Sequence, residues 1–301
     1  MPAAPTVVVD TAWMAITQRW KRGTSAGEGP DPTGRAGSDT PGTPEPRAAP
    51  PKRVRQDRRR QGLPSLSIRD AWPLLLLRAA HPKQALVTAL ALGAAAAIAG
   101  RPGREVAVVT ATVLVGQTIL GWHNDLVDRR RDARHQVPHK PIAQGKLDPG
   151  TAWFALACAV LRVVPLSIAT GVTAGSCYLL SLATGMLGNV ILRQSVLSWL
   201  TWAISFALYP AYLSYGGWGG TAEGSAPTVG MTVLAGLLGV GVHFLRSIWG
   251  LVADNEDGWT YLPLKLGLRL GATKLLALTT TYIVLVLAAM GIVASSVGLA
   301  A

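Results

Sequence analysis

Long apolar stretches separated by short polar segments dominate the chain from about residue 68 onward. Seven of these stretches are about 17 to 22 residues long, which is close to the length that an α-helix needs to cross a membrane. A shorter stretch, residues 68–80, has a proline near its start and is predicted to form an interfacial helix. The pattern predicts an all-α, polytopic membrane helix bundle with about seven transmembrane helices, at residues 84–100, 106–122, 151–169, 171–191, 196–213, 228–249 and 274–294.

The overall composition agrees with a membrane protein. Half of the 301 residues are hydrophobic and only 15% are charged, whereas soluble domains carry about 25% charged residues. The formal net charge of +12 is concentrated in the N-terminal region and in polar segments beside apolar ones. We therefore interpret the positive charge as a surface that faces anionic membrane lipid, and we predict no nucleic-acid binding.

The N-terminal 62 residues differ from the rest of the chain because they are rich in Pro, Gly, Ser, Ala and Arg. Such a composition buries too little apolar surface to offset the entropy of ordering. We predict a disordered basic tail over residues 1–62 and a transmembrane domain over residues 63–301. Lys and Arg are frequent in the tail and after the second and sixth spans, so the positive-inside rule predicts a multi-pass protein of the cell membrane with a cytoplasmic N-terminus.

The most charged internal segment follows the second span and reads GWHNDLVDRRRDARHQVPHKPIAQG. Its acidic residues are Asp125, Asp128 and Asp132, and Asn124 adds a neutral oxygen. The spacing i, i+3, i+7 places the three aspartates on one face if the helix of the second span continues. Carboxylates are costly at a membrane border, which makes these residues candidates for function.

These residue types suit a magnesium ion together with an anionic ligand. Proteins usually hold Mg²⁺ with one or two carboxylates, while phosphate oxygens and water complete its coordination. Nearby basic side chains such as Arg134 and Lys140 would then contact an anion such as a diphosphate. The residues alone leave one alternative open, in which the aspartates pair with the arginines of the same segment in a solvated loop.

A second acidic segment follows the sixth span and reads LVADNEDGWTYLPLKLGLRLG. It contains Asp254 and Asp257, which are separated by one helical turn. With seven spans, both acidic segments fall on the same side of the membrane, and the charge distribution predicts that this side is cytoplasmic.

Three motifs in these segments resemble signatures of the UbiA superfamily of intramembrane prenyltransferases. Asn124-Asp125-x-x-Asp128-x-x-x-Asp132 is similar to the family's NDxxDxxxD motif. The next residues, KPIAQG from Lys140, resemble its (R/K)P(I/L)xxG segment. LPLKLG, which ends at Gly267, is similar to the TLPxxLG-like segment that follows the family's second acidic motif.

The resemblance implies a UbiA-like fold and the Mg²⁺-dependent transfer of a prenyl group from a prenyl diphosphate to a lipophilic, often aromatic acceptor. It implies that the catalytic carboxylates are Asp125, Asp128, Asp132 and Asp254. The implied metal ligands are Asn124, Asp125, Asp128, Asp132 and Asp254, with Asp257 as an added candidate. The implied diphosphate contacts are Asn124, Arg134, Lys140 and Lys265.

The sequence departs from the family pattern in two respects. Counting back from Leu262 places the last carboxylate of the second motif at Asp254 and its first at Gly250, so GxxxD replaces DxxxD. Glu256 and Asp257 lie just beyond Asp254, and we expect one of them, in particular Asp257 at i+3, to substitute for the absent acid. The family fold has nine spans, two more than the apolar segments found here.

Three further functions remain open from the sequence. A terpene cyclase of the same scaffold would use a double bond of the prenyl chain itself to capture the carbocation. A non-catalytic protein would keep the scaffold as a lipid-binding or assembly partner, which the glycine at position 250 favours. A transporter would carry two similar halves and broken helices, of which the sequence shows only the two acidic helix ends.

Overall fold

The fold is described from a computed structural model, in which residues 71–216 and 224–297 are described. These residues are predominantly helical, and no β-strand occurs among them. The prediction of an all-α bundle is therefore confirmed. The predicted disordered tail, residues 1–62, and the first residues of the predicted interfacial helix lie outside the described residues.

Each of the seven predicted spans coincides with one helix, and the predicted interfacial helix coincides with another. A short 3₁₀ turn, Ile248–Gly250, connects the sixth of these long helices to a short continuation. The α-helices are α1 (Trp72–Ala79), α2 (Pro82–Ile98), α3 (Gly103–Arg134), α4 (Pro149–Ile168), α5 (Val172–Gly188), α6 (Ser198–Ser214), α7 (Val229–Ser247), α8 (Leu251–Glu256), α9 (Leu262–Leu270) and α10 (Ala272–Val297).

Four of these segments are long and apolar enough to cross a membrane by their length and composition. They are α3, α4, the continuous segment Val229–Glu256 and residues Ala272–Ser296 of α10. Helices α2 and α5 are apolar but have only 17 residues each. Large apolar side chains such as Phe154, Leu161 and Leu285 face outward and are mostly exposed, as expected for helices that contact lipid.

Polar residues between the apolar stretches define where two of the helices begin. Asp148 accepts a hydrogen bond from the backbone N–H of Thr151 at 2.8 Å and caps α4. Thr228 accepts one from the backbone N–H of Met231 at 3.3 Å and caps α7. Side chains that satisfy these N–H groups are the usual N-terminal caps.

Helix α3 is longer than its apolar stretch and carries the first acidic segment as regular helix. It has 32 residues and continues from the predicted end of the second span to Arg134. Its Gly121 lies against the α1–α2 junction, since a Cβ atom there would be 2.6 Å from the carbonyl oxygen of Ala80. This close approach brings His81, the next residue of the same junction, beside the acidic turns of α3.

Helices that follow one another in the chain pack side by side from α2 to α7, and α10 packs against α7. Helix α3 also contacts α5. The main apolar core extends from α1 to α6 and includes the buried rings of Tyr178 and Tyr212. A smaller core around Ile248, Leu264 and Leu275 fixes the second acidic segment against α9 and α10.

Candidate active site

The two acidic segments meet at one end of the bundle through Arg131 of α3. Its Nη2 atom lies 2.5 Å from Oδ1 of Asp254, and its Nε atom lies 2.5 Å from Oδ2 of Asp257. His135, one turn further along, has Nε2 at 3.0 Å from Oδ1 of Asp257. These ion pairs therefore connect the two acidic segments. The alternative left open by the sequence, in which the aspartates pair with arginines of their own segment, does not describe them.

The polar residues of the first segment have two different sets of partners. Asn124 and Asp128 line a cavity, and the Asn124 Nδ2 atom donates to Oδ2 of Asp128 at 3.0 Å. Asp125 and Asp132 instead contact Lys140, whose Nζ atom is 3.4 Å from Oδ2 of Asp132. At about 100° per residue, positions 125, 128 and 132 fall within an arc of about 60° around the helix, so the three aspartates share one face as the spacing predicts. Asp128, at one edge of this arc, lines the cavity, whereas the other two aspartates contact Lys140.

Asp125 is the most buried of these carboxylates, with a side chain only 1% exposed. Its Oδ1 atom accepts from Lys140 and lies 2.7 Å from the His81 Nε2 atom. His81 and His139, the residue before Lys140, have φ angles of 51° and 64°. Non-glycine residues rarely adopt this left-handed conformation, and such strain tends to occur at functional sites.

Arg193 completes the site from the connection between α5 and α6. Its guanidinium donates to Oδ1 of Asp128 and lies 5.1 Å from the ring centroid of Trp259. The guanidinium of Arg131 lies 4.3 Å from the same ring centroid. Burial lowers the pKa of Arg193, although Asp254 and the neighbouring acid at position 257 act in the opposite direction. Sequence reasoning missed Arg193 as a site residue, and the signal was a lone base between two apolar segments.

Asp254 is held by Tyr261 as well as by Arg131. The Tyr261 hydroxyl donates to Oδ2 of Asp254, and both side chains are buried. Burial raises the pKa of Tyr261, and the carboxylate of Asp254 raises it further, so the phenol keeps its proton and remains a donor. A Cβ atom at Gly250 would be 2.7 Å from Oδ2 of Asp254, so the glycine in place of the expected acid leaves space for this carboxylate.

Asp257 forms ion pairs with basic side chains at the C-terminal end of α3. Burial alone raises its pKa, but hydrogen bonds from His135 and Arg131 outweigh that effect and lower the pKa overall. Arg134 is 71% exposed, and its Nη2 atom is 3.9 Å from Oδ1 of Asp257. Lys265 is exposed on α9 and does not belong to the described residues that line the cavity.

A cavity of about 1550 Å³ extends from this acidic end into the bundle. Its wall is largely apolar and comes from α2, α3, α5, α6, α7 and α10. Asp128, Arg193 and Asp254 line its polar end. Residues such as Leu92 and Phe206 line its interior. The arrangement suits an amphiphilic ligand with an anionic head and a long apolar tail.

The oxygen atoms at the polar end suit a divalent cation that draws part of its coordination from a ligand. Among residues 71–216 and 224–297, no group of three or more His, Cys, Asp or Glu side chains forms a complete metal site. Mg²⁺, however, needs only one or two protein carboxylates when phosphate oxygens and water supply the rest. The buried Oδ2 atom of Asp125 has no hydrogen-bond partner among the described residues, and the buried Oδ2 atom of Asp132 makes no hydrogen bond but lies 3.4 Å from Nζ of Lys140.

The fold and site define a class of protein, an all-α membrane bundle in which two acidic segments close one end of an apolar cavity. The model of the UbiA prenyltransferase family matches residues 82–301, and the chain belongs to that family. The resemblance seen in the motifs is therefore confirmed, and the chain is a multi-pass membrane protein whose family carries out prenyl transfer. Comparisons with the curated proteins and with the solved structures found no match.

Proposed function

We propose that this protein transfers a prenyl group from a prenyl diphosphate to a lipophilic acceptor within the membrane, in a Mg²⁺-dependent reaction. The observation that carries the proposal is the single cavity that joins a cluster of acids and arginines to an apolar interior. A prenyl diphosphate has the same two parts, an anionic head and a long apolar chain.

Asn124, Asp128 and Asp254 are the proposed ligands that face the cavity and would hold Mg²⁺ with the diphosphate. Asp125 and Asp132 would contribute the oxygen atoms that now lack hydrogen-bond partners. Bound Mg²⁺ would neutralise the charge that develops on the leaving diphosphate. Asp257, which already pairs with two bases of α3, would chiefly hold Arg131 in position and supply a further ligand only if those pairs open.

The bases of the site would bind the phosphate oxygens. Arg131, Arg193 and Lys140 each contact a carboxylate of the proposed site. When those carboxylates turn to a cation, the guanidinium and ammonium groups are left for the diphosphate, which they bind through charge-assisted hydrogen bonds. Arg134, near the rim of this cluster, would add long-range attraction, and Lys265 would contribute only at the surface.

In the proposed reaction the C1–O bond of the prenyl diphosphate breaks and the electron pair leaves with the diphosphate. The nucleophilic atom of the acceptor forms the new bond to C1, and the proton that it loses passes to a base or to water. The apolar cavity keeps water from capturing the allylic cation. Trp202 and Tyr209 line the cavity, where their ring faces suit a cation, whereas Trp249 is exposed and lies outside the described lining.

We further propose that the acidic end faces the cytoplasm of the cell membrane. The segment that follows α3 and the connection that carries Arg193 contribute basic residues to this end. The positive-inside rule assigns such segments to the cytoplasmic side.

Diphosphate release from C10 to C20 prenyl diphosphates, measured with and without Mg²⁺, tests the proposal on the full chain in detergent. Asp128→Asn and Asp254→Asn should each reduce Mg²⁺-dependent release by about a hundredfold or more, since each removes charge stabilisation of the leaving group. Glu256→Gln is the matched control, because this carboxylate of α8 does not belong to the described residues that line the cavity and is 53% exposed. Release that ignores both Mg²⁺ and the two aspartate variants would overturn the proposal.

The same assay separates transfer from cyclisation. Incubation with the prenyl diphosphate alone, followed by product analysis, should yield no cyclic hydrocarbon. Addition of an aromatic acceptor should yield a prenylated product. A cyclic product without any acceptor would show that the site serves a cyclase instead.

A further inference from the structure

Trp259 is an aromatic residue of the site that the proposed transfer of a prenyl group does not use. It lies between α8 and α9, is partly buried, and lines the polar end of the cavity. The guanidinium carbons of Arg131 and Arg193 lie 4.3 Å and 5.1 Å from the centroid of its ring, within the range of a cation–π contact. One indole ring therefore contacts two arginines that reach the site from different parts of the chain.

The backbone around Trp259 fixes the ring in this place. The N–H group of Trp259 donates to the carbonyl oxygen of Asp254 at 3.0 Å. The next residue, Thr260, donates its N–H group to the carbonyl oxygen of Gln194 at 3.1 Å. Because Gln194 directly follows Arg193 in the chain, the second hydrogen bond ties the segment of the ring to the connection that carries one of the two arginines.

The ring attracts two positive charges that repel each other. In the structure Asp254 neutralises Arg131, and Asp128 neutralises Arg193. The proposed binding of Mg²⁺ draws those carboxylates toward the cation and leaves the guanidinium groups without them. Trp259 is no ligand for Mg²⁺, so its π face continues to attract both guanidiniums. A diphosphate that arrives with Mg²⁺ then meets two bases whose side chains are already ordered, which lowers the entropic cost of binding.

We propose that Trp259 is a positioning residue, which holds Arg131 and Arg193 in place to bind the diphosphate after their carboxylate partners have turned to Mg²⁺. This inference rests on the proposed function and adds to it the means by which the two arginines keep their orientation. The indole ring is the strongest aromatic partner for a guanidinium. The two arginine side chains are only 16% and 22% exposed, so water screens both contacts only in part.

Binding of inorganic diphosphate in the presence of Mg²⁺ tests this role on the purified full chain in detergent, without any need for turnover. Calorimetry measures this affinity, and a separate titration measures the affinity for Mg²⁺ alone. Trp259→Leu keeps an apolar side chain but removes the π face, and it should weaken diphosphate binding by about 10-fold. Its affinity for Mg²⁺ alone should not fall, because the carboxylates are unchanged. A variant that had merely lost packing in the smaller core would lose affinity for both.

A conservative variant and a second substitution separate this role from simple packing. Trp259→Phe keeps a smaller π face and should recover part of the affinity for diphosphate. Trp259→Leu should cost less in an Arg193→Gln background than in wild type, because one of the two guanidiniums is already gone. Trp153→Leu changes an exposed tryptophan of α4 that does not belong to the described cavity wall, and it should bind diphosphate as wild type does.

Unchanged diphosphate affinity in Trp259→Leu, or an equal loss of diphosphate and Mg²⁺ affinity, would overturn the proposal. An effect of the same size in wild type and in Arg193→Gln would also overturn it. If Trp259→Leu does not fold, Trp259→Phe decides: a partial loss with Mg²⁺ binding retained supports the proposal, and wild-type affinity overturns it.

The same measurements distinguish this proposal from the proposed function. If wild type binds no diphosphate, both fail. If wild type never cleaves a prenyl diphosphate but Trp259→Leu still selectively loses diphosphate affinity, the proposed transfer fails while the positioning role stands. If wild type cleaves prenyl diphosphates and Trp259→Leu binds diphosphate unchanged, only the positioning role fails.

Discussion

Arg193 offers a sharp test of the acidic end, because one substitution should move two affinities in opposite directions. In the structure its guanidinium donates a hydrogen bond to Oδ1 of Asp128, which is a proposed Mg²⁺ ligand. Arg193→Gln removes that competitor and should tighten Mg²⁺ binding when no diphosphate is present. The same change removes a base proposed to contact the diphosphate, and should weaken the binding of a prenyl diphosphate.

The burial of the pair sets the size of both effects. The Arg193 and Asp128 side chains are 22% and 11% exposed, so solvent screens their interaction only in part. A hydrogen bond between charged groups contributes about 1.5 to 3 kcal/mol, which predicts a loss of diphosphate affinity of about 10- to 100-fold. The gain for Mg²⁺ should be smaller, roughly fivefold, because water replaces the lost guanidinium at the carboxylate.

Calorimetric titration of Mg²⁺, and separately of a prenyl diphosphate in the presence of Mg²⁺, measures the two affinities. Arg193→Lys should give intermediate values, because it keeps the charge but loses the planar contact with Trp259. Arg269→Gln on the exposed surface of α9 should leave both values unchanged. Weaker Mg²⁺ binding by Arg193→Gln, or unchanged diphosphate binding, would refute the proposed exchange of partners.

Two further substitutions test the support of the site. Tyr261→Phe leaves an oxygen of buried Asp254 without its donor, so it should lower the free energy of unfolding by about 1 to 3 kcal/mol and reduce diphosphate release. Because the raised pKa of Tyr261 keeps the phenol protonated, the ratio of wild-type to variant rates should stay constant across neutral pH. A ratio that changes with pH would contradict this role. Gly121→Ala forces a Cβ atom against the Ala80 carbonyl and should destabilise the protein by about 1 to 3 kcal/mol, measured by thermal unfolding. Gly291→Ala is the control, because no described atom lies within 4 Å of the added Cβ atom, and it should not destabilise the protein. Equal Tm values for the two variants would contradict the close packing at Gly121.

The helices were predictable because the physical cause acts locally. Each apolar stretch must satisfy its own backbone hydrogen bonds within a membrane, and a helix does so without any partner. All seven stretches coincide with helices in the structure for this reason. The same reasoning does not predict how far α3 extends. Its polar turns beyond the apolar stretch are stabilised by tertiary contacts, such as that between Lys140 and Asp125, which a local pattern does not reveal.

The candidate site was predictable only in part, because its pairs connect distant segments. Periodicity identified the acidic turns and the face of α3 that Asp125, Asp128 and Asp132 share. Nothing in the spacing indicates that Arg131 bridges to Asp254 or that Arg193 reaches Asp128, since those contacts depend on how α3, α5 and α8 pack. A lone base between two apolar stretches is the signal that sequence reasoning can use in such cases.

The distribution of charge explains why the acidic end of the cavity suits a charged donor complex. At the acidic end, carboxylates and bases neutralise one another, so binding of Mg²⁺ and diphosphate exchanges one set of ion pairs for another. The free energy of removing those charges from water is already included in the stability of the fold, and the exchange of ion pairs adds little to that desolvation free energy. We therefore expect the acidic end of the cavity to hold the divalent diphosphate complex and its apolar interior to hold the prenyl chain, with the reacting carbon where the two parts meet.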